Sequence, residues 1–409
     1  MRESKRGKTR GGLRIQPENV PSGCFTRKTL LDTIRRNGRA SRTQLAELTG
    51  LTFMAVKRNM EELLDLGLIR EDGTEPSSVG RKSVLYAVNE SFACTAGIYI
   101  NMYETRAAVM DLGGTILYSK RMAMDQPCNQ AELIDRVIRL AQETLEESGQ
   151  PRERILGVGI GVPGPVDPGR GLVLSPPNLT CLQYVPLRGI VEQALGLPAF
   201  LQKDANVIAL GELRHGAARG HADMMYIYAD VGIGGGLVLN GSLYLGLNAG
   251  AGEIGHITLD QDGPVCNCAS TGCVEAIASG LAVTRRYNRE KGCSASIEDV
   301  LQAAAQNDTC AVMCLNDSAR TLGIAVGSLI NLLDLPVIVI GGLLAERYEP
   351  YLALVRQSAT EKKLKGYRSN RILPSALANN AGVIGAGELV ADHFFKTGVL
   401  ELFQSGAAS

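Results

Sequence analysis

One histidine and three cysteines lie close together in the second half of the chain: His256, Cys266, Cys268 and Cys273. The single residue between Cys266 and Cys268 brings two thiolates onto one tight loop. Four nitrogen and sulfur ligands form the closed set that structural zinc requires. We therefore predict one structural zinc ion per chain, which would stabilise the loop because metal binding contributes to the folding free energy. The alternative is chance proximity or a redox role, since the chain has ten cysteines.

The distribution of charge indicates a DNA-binding N-terminal segment. The 409 residues contain 42 basic and 42 acidic side chains. Residues 1–90 carry 17 Lys and Arg against 11 Asp and Glu, a net charge of +6, and the remainder carries 25 against 31, a net charge of −6. Such asymmetry is typical of a nucleic-acid-binding segment joined to a neutral or acidic body. The alternative is a solvated basic tail, because residues 1–20 are basic, rich in glycine and predicted to be disordered.

The composition also predicts where the protein acts. No segment has the apolar core of a signal peptide. No apolar run approaches the ~18 residues of a membrane helix. We therefore expect a cytoplasmic protein with no membrane span, whose cysteines are reduced or bound to metal.

Three short amphipathic segments predict a helix-turn-helix. The first helix should end near Asn37–Gly38, where the sequence supplies a stop signal. The second should begin at Ser41, whose spacing to Gln44 is that of a capping box. The third should be capped by Thr52 and end at Gly67. This order is the plan of DNA-binding helix-turn-helix domains, although a protein-interaction module could use the same scaffold.

The third helix of this domain is expected to recognise DNA. Its first residues should reach base edges, while nearby basic residues contact phosphates. Residues 68–70 and 84–88, joined through a turn at Glu71–Gly73, predict a two-stranded wing. The predicted DNA contacts are Arg42, Thr52, Phe53, Met54, Lys57, Arg58, Arg81 and Lys82.

The remainder of the chain alternates apolar strands with helical segments, which predicts an α/β fold. Strands are expected at 155–162, 199–202, 225–228 and 337–340. The Asn240–Gly241 pair between two apolar runs is a strong signal for a β-hairpin.

Several motifs in this region occur in a diagnostic order, and with them the chain resembles the ROK family of repressors and sugar kinases. The resemblance implies a two-lobed, actin-like ATPase (ribonuclease H-like) fold, here preceded by a winged helix-turn-helix. The family's repressors carry that N-terminal domain and its kinases lack it. The motifs are GIGVPGPVD (159–167), KDANVIALGE (203–212), VGIGGGLVLNG (231–241), GAGEIGH (250–256), the cysteine-rich segment and VIVIGG (337–342).

The resemblance implies a sugar site in the cleft between the lobes. Asp204 matches the family's general base, while Glu253, His256 and Glu275 match residues that contact sugar hydroxyls. Gly161 and Asn178 are weaker matches near the same pocket. Lys203 departs from the family, which usually has asparagine there. It could pair with Asp204, bind an acidic or phosphorylated sugar, point to solvent, or mark the loss of sugar binding. We expect it to favour an anionic ligand.

The phosphate-binding loops differ from those of the family's kinases. Tyr99 replaces an acidic residue that helps to hold magnesium. Asn101 and Met102 replace glycines that bring backbone amides close to phosphate. Glu104 and Asp230 add negative charge where phosphate would lie, which is unfavourable. We therefore expect no catalytic residue and no sugar phosphorylation.

The sequence thus indicates a DNA-binding transcriptional regulator of carbohydrate metabolism, with repression as the expected sign. Its expected partners are double-stranded operator DNA, a sugar or sugar-derivative effector and further copies of itself in a homodimer or homotetramer. An active ATP-dependent sugar kinase with a fused DNA-binding head is the alternative. A regulator controlled by a phosphotransfer protein is a third possibility.

The expected domain boundaries follow from these assignments. They are a basic tail (1–20), a winged helix-turn-helix (21–90), a first lobe (91–210) and a second lobe that contains the zinc (211–409). The C-terminal helix is expected to return to the first lobe.

Overall fold

The computed structural model describes residues 22–75, 83–124, 129–177, 179–366 and 370–406. These residues form two compact units. The first comprises the described residues up to Asn89 together with those from His393 onward, and the second runs from Glu90 to Asp392. The expected basic tail lies outside the described residues.

The three helices of the predicted helix-turn-helix lie in the first unit. The second begins with the predicted capping box, in which Ser41 and Gln44 each accept a hydrogen bond from the other's backbone N–H. Thr52 caps the third helix by accepting a hydrogen bond from Ala55 N. Such caps satisfy N–H groups that a helix leaves unpaired, so they define where it starts. The helices are α1 (Ser22–Asn37), α2 (Arg42–Thr49) and α3 (Phe53–Asp65).

A three-stranded sheet in the order β1-β3-β2 forms the wing. The prediction of a turn at Glu71–Gly73 is wrong, because the second strand continues to Thr74 with an irregularity between Glu71 and Thr74. Gly73 has a φ of +84° there, a conformation that glycine adopts without steric cost. The strands are β1 (Arg39–Ser41), β2 (Ile69–Thr74) and β3 (Val84–Val88).

Residues from the C-terminus complete the first unit. Phe403, in the last helix, is buried and lies 4.7 Å from the Arg27 guanidinium carbon, while Phe395 lies 4.3 Å from that of Arg35. The structure differs from the expectation only in this last segment, which packs on α1, whereas the preceding helix Ala381–His393 makes the return to the first lobe. Burial of the two aromatic side chains against α1 accounts for the difference. The elements are a π-helical turn (Phe394–Gly398) and α14 (Val399–Gly406).

The first lobe of the second unit contains a five-stranded sheet in the order β10-β7-β4-β5-β6. Strand β4 is fully buried and β7 nearly so, because helices cover the sheet. The strands are β4 (Cys94–Ile100), β5 (Glu104–Asp111), β6 (Ile116–Ala123), β7 (Ile155–Val162) and β10 (Ala199–Lys203), with a separate pair, β8 (Val166–Asp167) and β9 (Leu172–Val173). The helices are α4 (Gln130–Glu147), α5 (Leu187–Leu195) and α6 (Asp204–Arg214).

The second lobe contains another five-stranded sheet, in the order β13-β12-β11-β14-β15. The predicted hairpin at Asn240–Gly241 joins two of its strands, with Val238 opposite Leu243. The strands are β11 (Met224–Ala229), β12 (Ile233–Leu239), β13 (Ser242–Leu243), β14 (Val337–Gly341) and β15 (Arg371–Pro374). The helices are α7 (Val274–Ala278), α8 (Gly280–Lys291), α9 (Ile297–Ala305), α10 (Thr309–Leu333), α11 (Leu343–Arg347) and α12 (Tyr351–Lys362).

The helix α13 (Ala381–His393) returns from the second lobe to the sheet of the first. The approach is so close that a Cβ atom on Gly159 would lie 1.7 Å from the carbonyl oxygen of Ala386. Glycine is therefore required at this strand position, and the contact fixes α13 against the sheet that carries part of the cleft.

None of the helices among the described residues is both long and apolar enough to span a lipid bilayer. Cys181 is disulfide-bonded, which differs from the expectation that the cysteines are reduced or bound to metal. The other cysteines that the structure describes are free thiols.

Candidate functional site

The four predicted zinc ligands come together in the second lobe. The ligand atoms of His256, Cys266, Cys268 and Cys273 all lie within 4.8 Å of one another. His256 Nδ1 is 3.7 Å from Cys266 Sγ, and Cys268 Sγ is 3.7 Å from Cys273 Sγ. Zinc–sulfur bonds of about 2.3 Å in a tetrahedron separate two sulfurs by about 3.8 Å. The cluster therefore has the dimensions of a closed four-ligand metal site.

Local backbone geometry shapes this cysteine loop. Cys266 N donates to the carbonyl oxygen of Ser270, which closes a tight turn around Cys268. Gly272 has a φ of +69°, and a Cβ atom there would lie 1.4 Å from the carbonyl oxygen of Asp260. Only glycine fits this position, directly before Cys273. The turn and the glycine thus help to place Cys266 and Cys273 within the cluster.

Glu275 connects the cysteine loop with the glycine-rich segment at 232–236. Its Oε2 accepts a hydrogen bond of 2.9 Å from Ile233 N, at the start of β12. Its Oε1 lies 4.0 Å from Cys266 Sγ. Glu275 is thus held by the chain on one side while it lines the cleft on the other.

Asp204 lies at the first position of α6, directly after β10. Its Oδ1 accepts a hydrogen bond of 2.7 Å from Ala205 N. Burial raises the pKa of this carboxyl from 3.8 to about 6, an effect opposed by the Ala205 hydrogen bond and by the charge of Lys203. At neutral pH the group is therefore mostly ionised and can accept a hydrogen bond from a ligand hydroxyl.

Lys203 pairs with Glu253. Its Nζ donates a hydrogen bond of 2.6 Å to Glu253 Oε1, and the residue is only 5% exposed. The structure therefore does not support an orientation toward solvent. Nor does it support the expected preference for an anionic ligand, because the positive charge is already compensated by Glu253.

One cavity of about 480 Å³ lies between the two lobes. The predicted ligand residues Lys203, Asp204, Glu253, His256 and Glu275 all line it. Two other predicted ligand residues do not belong to this described lining. Gly161 is buried in β7, where a Cβ atom would lie 2.6 Å from Val207, and Asn178 lies outside the described residues.

Three of the substituted loop residues, Asn101, Met102 and Asp230, line the same cavity. Tyr99 is only 5% exposed. Burial, followed by the charges of Asp204 and Asp230, raises its pKa well above the ordinary value, so the hydroxyl stays neutral. A neutral aromatic ring cannot replace the carboxylate that holds a magnesium ion.

The carboxylate of Asp230 is held by backbone amides. Oδ1 accepts a 2.7 Å hydrogen bond from Val231 N, and Oδ2 accepts one of 2.9 Å from Leu343 N. The sequence did not predict the third contact, in which Tyr103 of the first lobe donates to Asp230 Oδ1 at 3.3 Å. Tyr103 follows the two substituted glycine positions directly, and this adjacency was the available signal.

Glu104 has a different role from the one expected. It forms ion pairs with Arg106 and Arg121, so its negative charge is compensated and contributes little repulsion to a bound phosphate. Among the substitutions that change charge, Tyr99 and Asp230 therefore remain as those that disfavour a bound phosphate and its magnesium.

In the first unit, α3 presents the predicted DNA-contacting side chains to solvent. Val56 and Met60 are buried on its inner face. Lys57 lies 4.0 Å from Glu61, and both side chains are about half exposed. Such an exposed pair is weak, so Lys57 remains available to a phosphate. The exposed residues on this surface are Thr52, Phe53, Met54, Lys57 and Arg58.

The other predicted DNA contacts are less well placed. Arg42 is partly buried, and its guanidinium carbon lies 5.1 Å from the ring centroid of Tyr86. This cation–π contact favours a structural role over a phosphate contact. Arg81 and Lys82 lie outside the described residues.

Comparisons with known proteins match both units. The ROK family profile matches residues 95–393, and a winged helix-turn-helix DNA-binding profile matches residues 26–70. The chain is 30% identical over 375 residues to a putative xylose repressor of Caldicellulosiruptor sp. (strain Rt8B.4), covering 88% of this chain and 94% of that protein.

Solved structures show the same relationship. A ROK family transcriptional regulator, a homolog of the E. coli MLC protein, is 25% identical with a TM-score of 0.76 and covers 93% of this chain and 99% of its own. The ROK hexokinase from Thermus thermophilus is 31% identical with a TM-score of 0.66, covering 74% of this chain and 99% of its own. These matches confirm the predicted actin-like fold and the winged helix-turn-helix before it. The chain belongs to the ROK family.

Proposed function

We propose that this chain is a sugar-responsive, DNA-binding transcriptional repressor of carbohydrate metabolism. One observation carries the proposal: the chain that has a winged helix-turn-helix also has a cleft that keeps its hydroxyl acceptors, while Tyr99 and Asp230 replace residues with which the family's kinases hold magnesium and phosphate. The similarity to repressors over most of the chain supports this function.

The DNA-binding part of the proposal is assigned to α3. Its exposed N-terminal residues would meet base edges in the major groove, and Lys57 and Arg58 would contact phosphates. Helix-turn-helix proteins commonly bind half-sites through a symmetric oligomer, so we propose a homodimer or homotetramer on a palindromic operator. Because its target is operator DNA, we expect the protein to act in the cytoplasm.

The effector is proposed to bind in the cleft against Asp204, Glu253, His256 and Glu275. Carboxylate oxygens accept hydrogen bonds from sugar hydroxyls. The ion pair with Lys203 orients the carboxylate of Glu253. To release DNA, the sugar must bind the DNA-incompetent state more tightly than the competent one, which shifts the population between them.

We propose that the protein has no kinase activity, although Asp204 matches the family's base. A base can assist phosphoryl transfer only if a phosphate and its magnesium are positioned beside it. Tyr99 and Asp230 disfavour both. Sugar-dependent release of ADP that is lost in Asp204→Ala would instead support the alternative of a sugar kinase fused to a DNA-binding head.

The metal centre is proposed to hold one structural zinc ion. When bound, zinc would crosslink His256 to the cysteine loop and so fix Asn267 and Cys268, which line the cleft. Ligation through one nitrogen of His256 would set the tautomer at the other, which then faces the effector.

A gel-shift assay on the DNA upstream of the protein's own gene tests the proposed function. The protein should bind a discrete fragment, and at least one sugar from a panel of neutral and phosphorylated sugars should weaken that binding. Asp204→Asn should abolish the response to sugar without abolishing DNA binding. Failure of every sugar to change either DNA affinity or melting temperature would contradict the effector assignment and favour control by a protein partner.

A further inference from the structure

We propose that the cleft has a second subsite, formed around Tyr103 and Asp230, and that the effector is an uncharged glycoside or disaccharide whose second ring binds there. This inference rests on the proposed effector site, because the first ring would bind at Asp204 and Glu253. The second subsite lies at the end of the cleft where the family's kinases bind phosphate.

The size of the cavity is the first argument. One cavity of about 480 Å³ is lined by Asp204 and Glu253 and also by Tyr103 and Asp230. Pockets of about 300–1,000 Å³ enclose molecules of drug size. The space is therefore large enough for two linked rings, and a single monosaccharide would leave part of the cavity unfilled.

The residues that line the cavity around Tyr103 also suit a sugar ring. Met102 and Tyr103 form part of the turn between β4 and β5, and Tyr103 is 44% exposed. Asn101 Oδ1 accepts hydrogen bonds of 2.8 Å from the backbone N–H groups of Tyr103 and Glu104, which hold this turn in shape. A preorganised tyrosine provides a large amphipathic surface at low entropic cost. The C–H face of a sugar ring, or an aromatic aglycone, fits such a surface.

Asp230 supplies a polar contact for the same ring. A carboxylate has about four acceptor positions on its two oxygens. Among the described residues, three donors bond to them: Val231 N, Leu343 N and Tyr103 Oη. Asp230 lines the cavity, so the remaining position can accept one ligand hydroxyl.

The charge of the cleft selects the class of ligand. Asp204 and Asp230 both line the cavity, and the cation of Lys203 is paired with Glu253. A phosphate at the Tyr103 end would face the Asp230 carboxylate without a compensating cation among the described lining residues, and repulsion at short range is strong in a partly buried site. An uncharged sugar has no such cost, so the second ring is a neutral one.

Isothermal titration of the full-length protein tests the subsite with matched probes. These are glucose, phenyl β-glucoside and cellobiose, and xylose, phenyl β-xyloside and xylobiose. At least one glycoside or disaccharide should bind about tenfold more tightly than its monosaccharide, as expected for an added aromatic contact. The ratio of the two affinities should fall toward one in Tyr103→Ala. It should persist in Tyr103→Phe, which keeps the aromatic ring.

The outcomes separate the two proposals. If monosaccharides bind but none of the larger probes binds more tightly, or if the gain persists in Tyr103→Ala, the second subsite is wrong and the effector site stands. If none of the six probes binds, while a phosphorylated sugar does, the second subsite and the uncharged ligand class both fail. If Asp204→Asn leaves every affinity unchanged, the sugar binds elsewhere and both proposals fail.

Discussion

Lys203 and Glu253 form an ion pair within the cleft, with 2.6 Å between Nζ and Oε1. The Lys203 side chain is 6% exposed, whereas that of Glu253 is 37% exposed. The pair compensates the charge of Lys203, the only lysine or arginine among the described residues of the cavity lining. The Lys203 charge opposes the rise in the pKa of Asp204, whereas the Glu253 carboxylate adds to it.

Removing either member of this pair should destabilise the protein. Lys203→Met leaves a partly buried carboxylate without its partner, and we expect a loss of about 2 kcal/mol in the free energy of unfolding, reduced from the fully buried case by the exposure of Glu253. Glu253→Gln should also destabilise, and the double variant should lose less than the sum of the two. Urea unfolding of the four proteins measures the coupling. Strictly additive losses would show that the contact does not stabilise the fold.

The raised pKa of Asp204 predicts that its ionised carboxylate lowers the free energy of unfolding by an amount that depends on pH. The folded-state pKa of about 6 lies above the ordinary 3.8. The whole of this destabilisation is therefore present above about pH 6, where the buried carboxyl is ionised. As pH falls through 6 the carboxyl takes up a proton and the cost declines, reaching zero below about 3.8. The pKa difference corresponds to at most about 3 kcal/mol. Asp204→Asn should therefore stabilise the ligand-free protein at pH 8 and have little effect near pH 4.

Thermal or urea unfolding across this pH range measures that difference. Sugar affinity should show the opposite trend in the wild type, falling as pH drops through about 6, because the protonated carboxyl is a poorer acceptor. A stability difference between the two proteins that stays constant from pH 4 to pH 8 would contradict the assigned pKa.

Charge reversal on α3 should disrupt DNA binding. Lys57→Glu with Arg58→Glu removes two proposed phosphate contacts, so the slope of log affinity against log salt should become shallower by about two. Affinity should fall sharply at moderate salt, while the melting temperature of the second unit stays the same. Fluorescence anisotropy with labelled operator DNA measures both quantities.

A matched control comes from the second unit. Arg289 and Arg320 are exposed on α8 and α10, and their double reversal to glutamate changes the net charge equally. This control should lower the affinity much less than the α3 variant. Equal losses in both variants would show that net charge alone, and not α3, accounts for the binding.

The cysteine loop should hold about one zinc ion per chain, as a closed four-ligand site implies. Cys268→Ser with Cys273→Ser should remove it, and the melting temperature should fall because metal binding contributes to folding. Cys293→Ser with Cys310→Ser is the matched control, since these free thiols lie outside the cluster. Elemental analysis of protein purified without chelator measures the metal. Zinc that is absent from the wild type, or retained by the cluster variant, would contradict the assignment.

Local features of the chain were predictable because neighbouring residues determine them. The capping box of Ser41 and Gln44, the cap at Thr52 and the hairpin at Asn240–Gly241 each depend on interactions within a few residues. The ordered motifs also identified the family and its fold. The close spacing of the three cysteines predicted that they cluster, since a short loop can bring its own thiols together.

Contacts between distant parts of the chain required the tertiary structure. Lys203 had several possible partners in the sequence, and packing of the cleft selected Glu253, 50 residues away. Tyr103 and Asp230 are 127 residues apart and meet only because the two lobes face each other. Likewise, Phe403 packs near Arg27 at the opposite end of the chain. The sequence alone determined the helices, the family and the ligand types, because these follow from local pattern. The tertiary structure decided which charges are compensated and which hydroxyl acceptors face the cavity, because burial and distance depend on the packing of the whole fold.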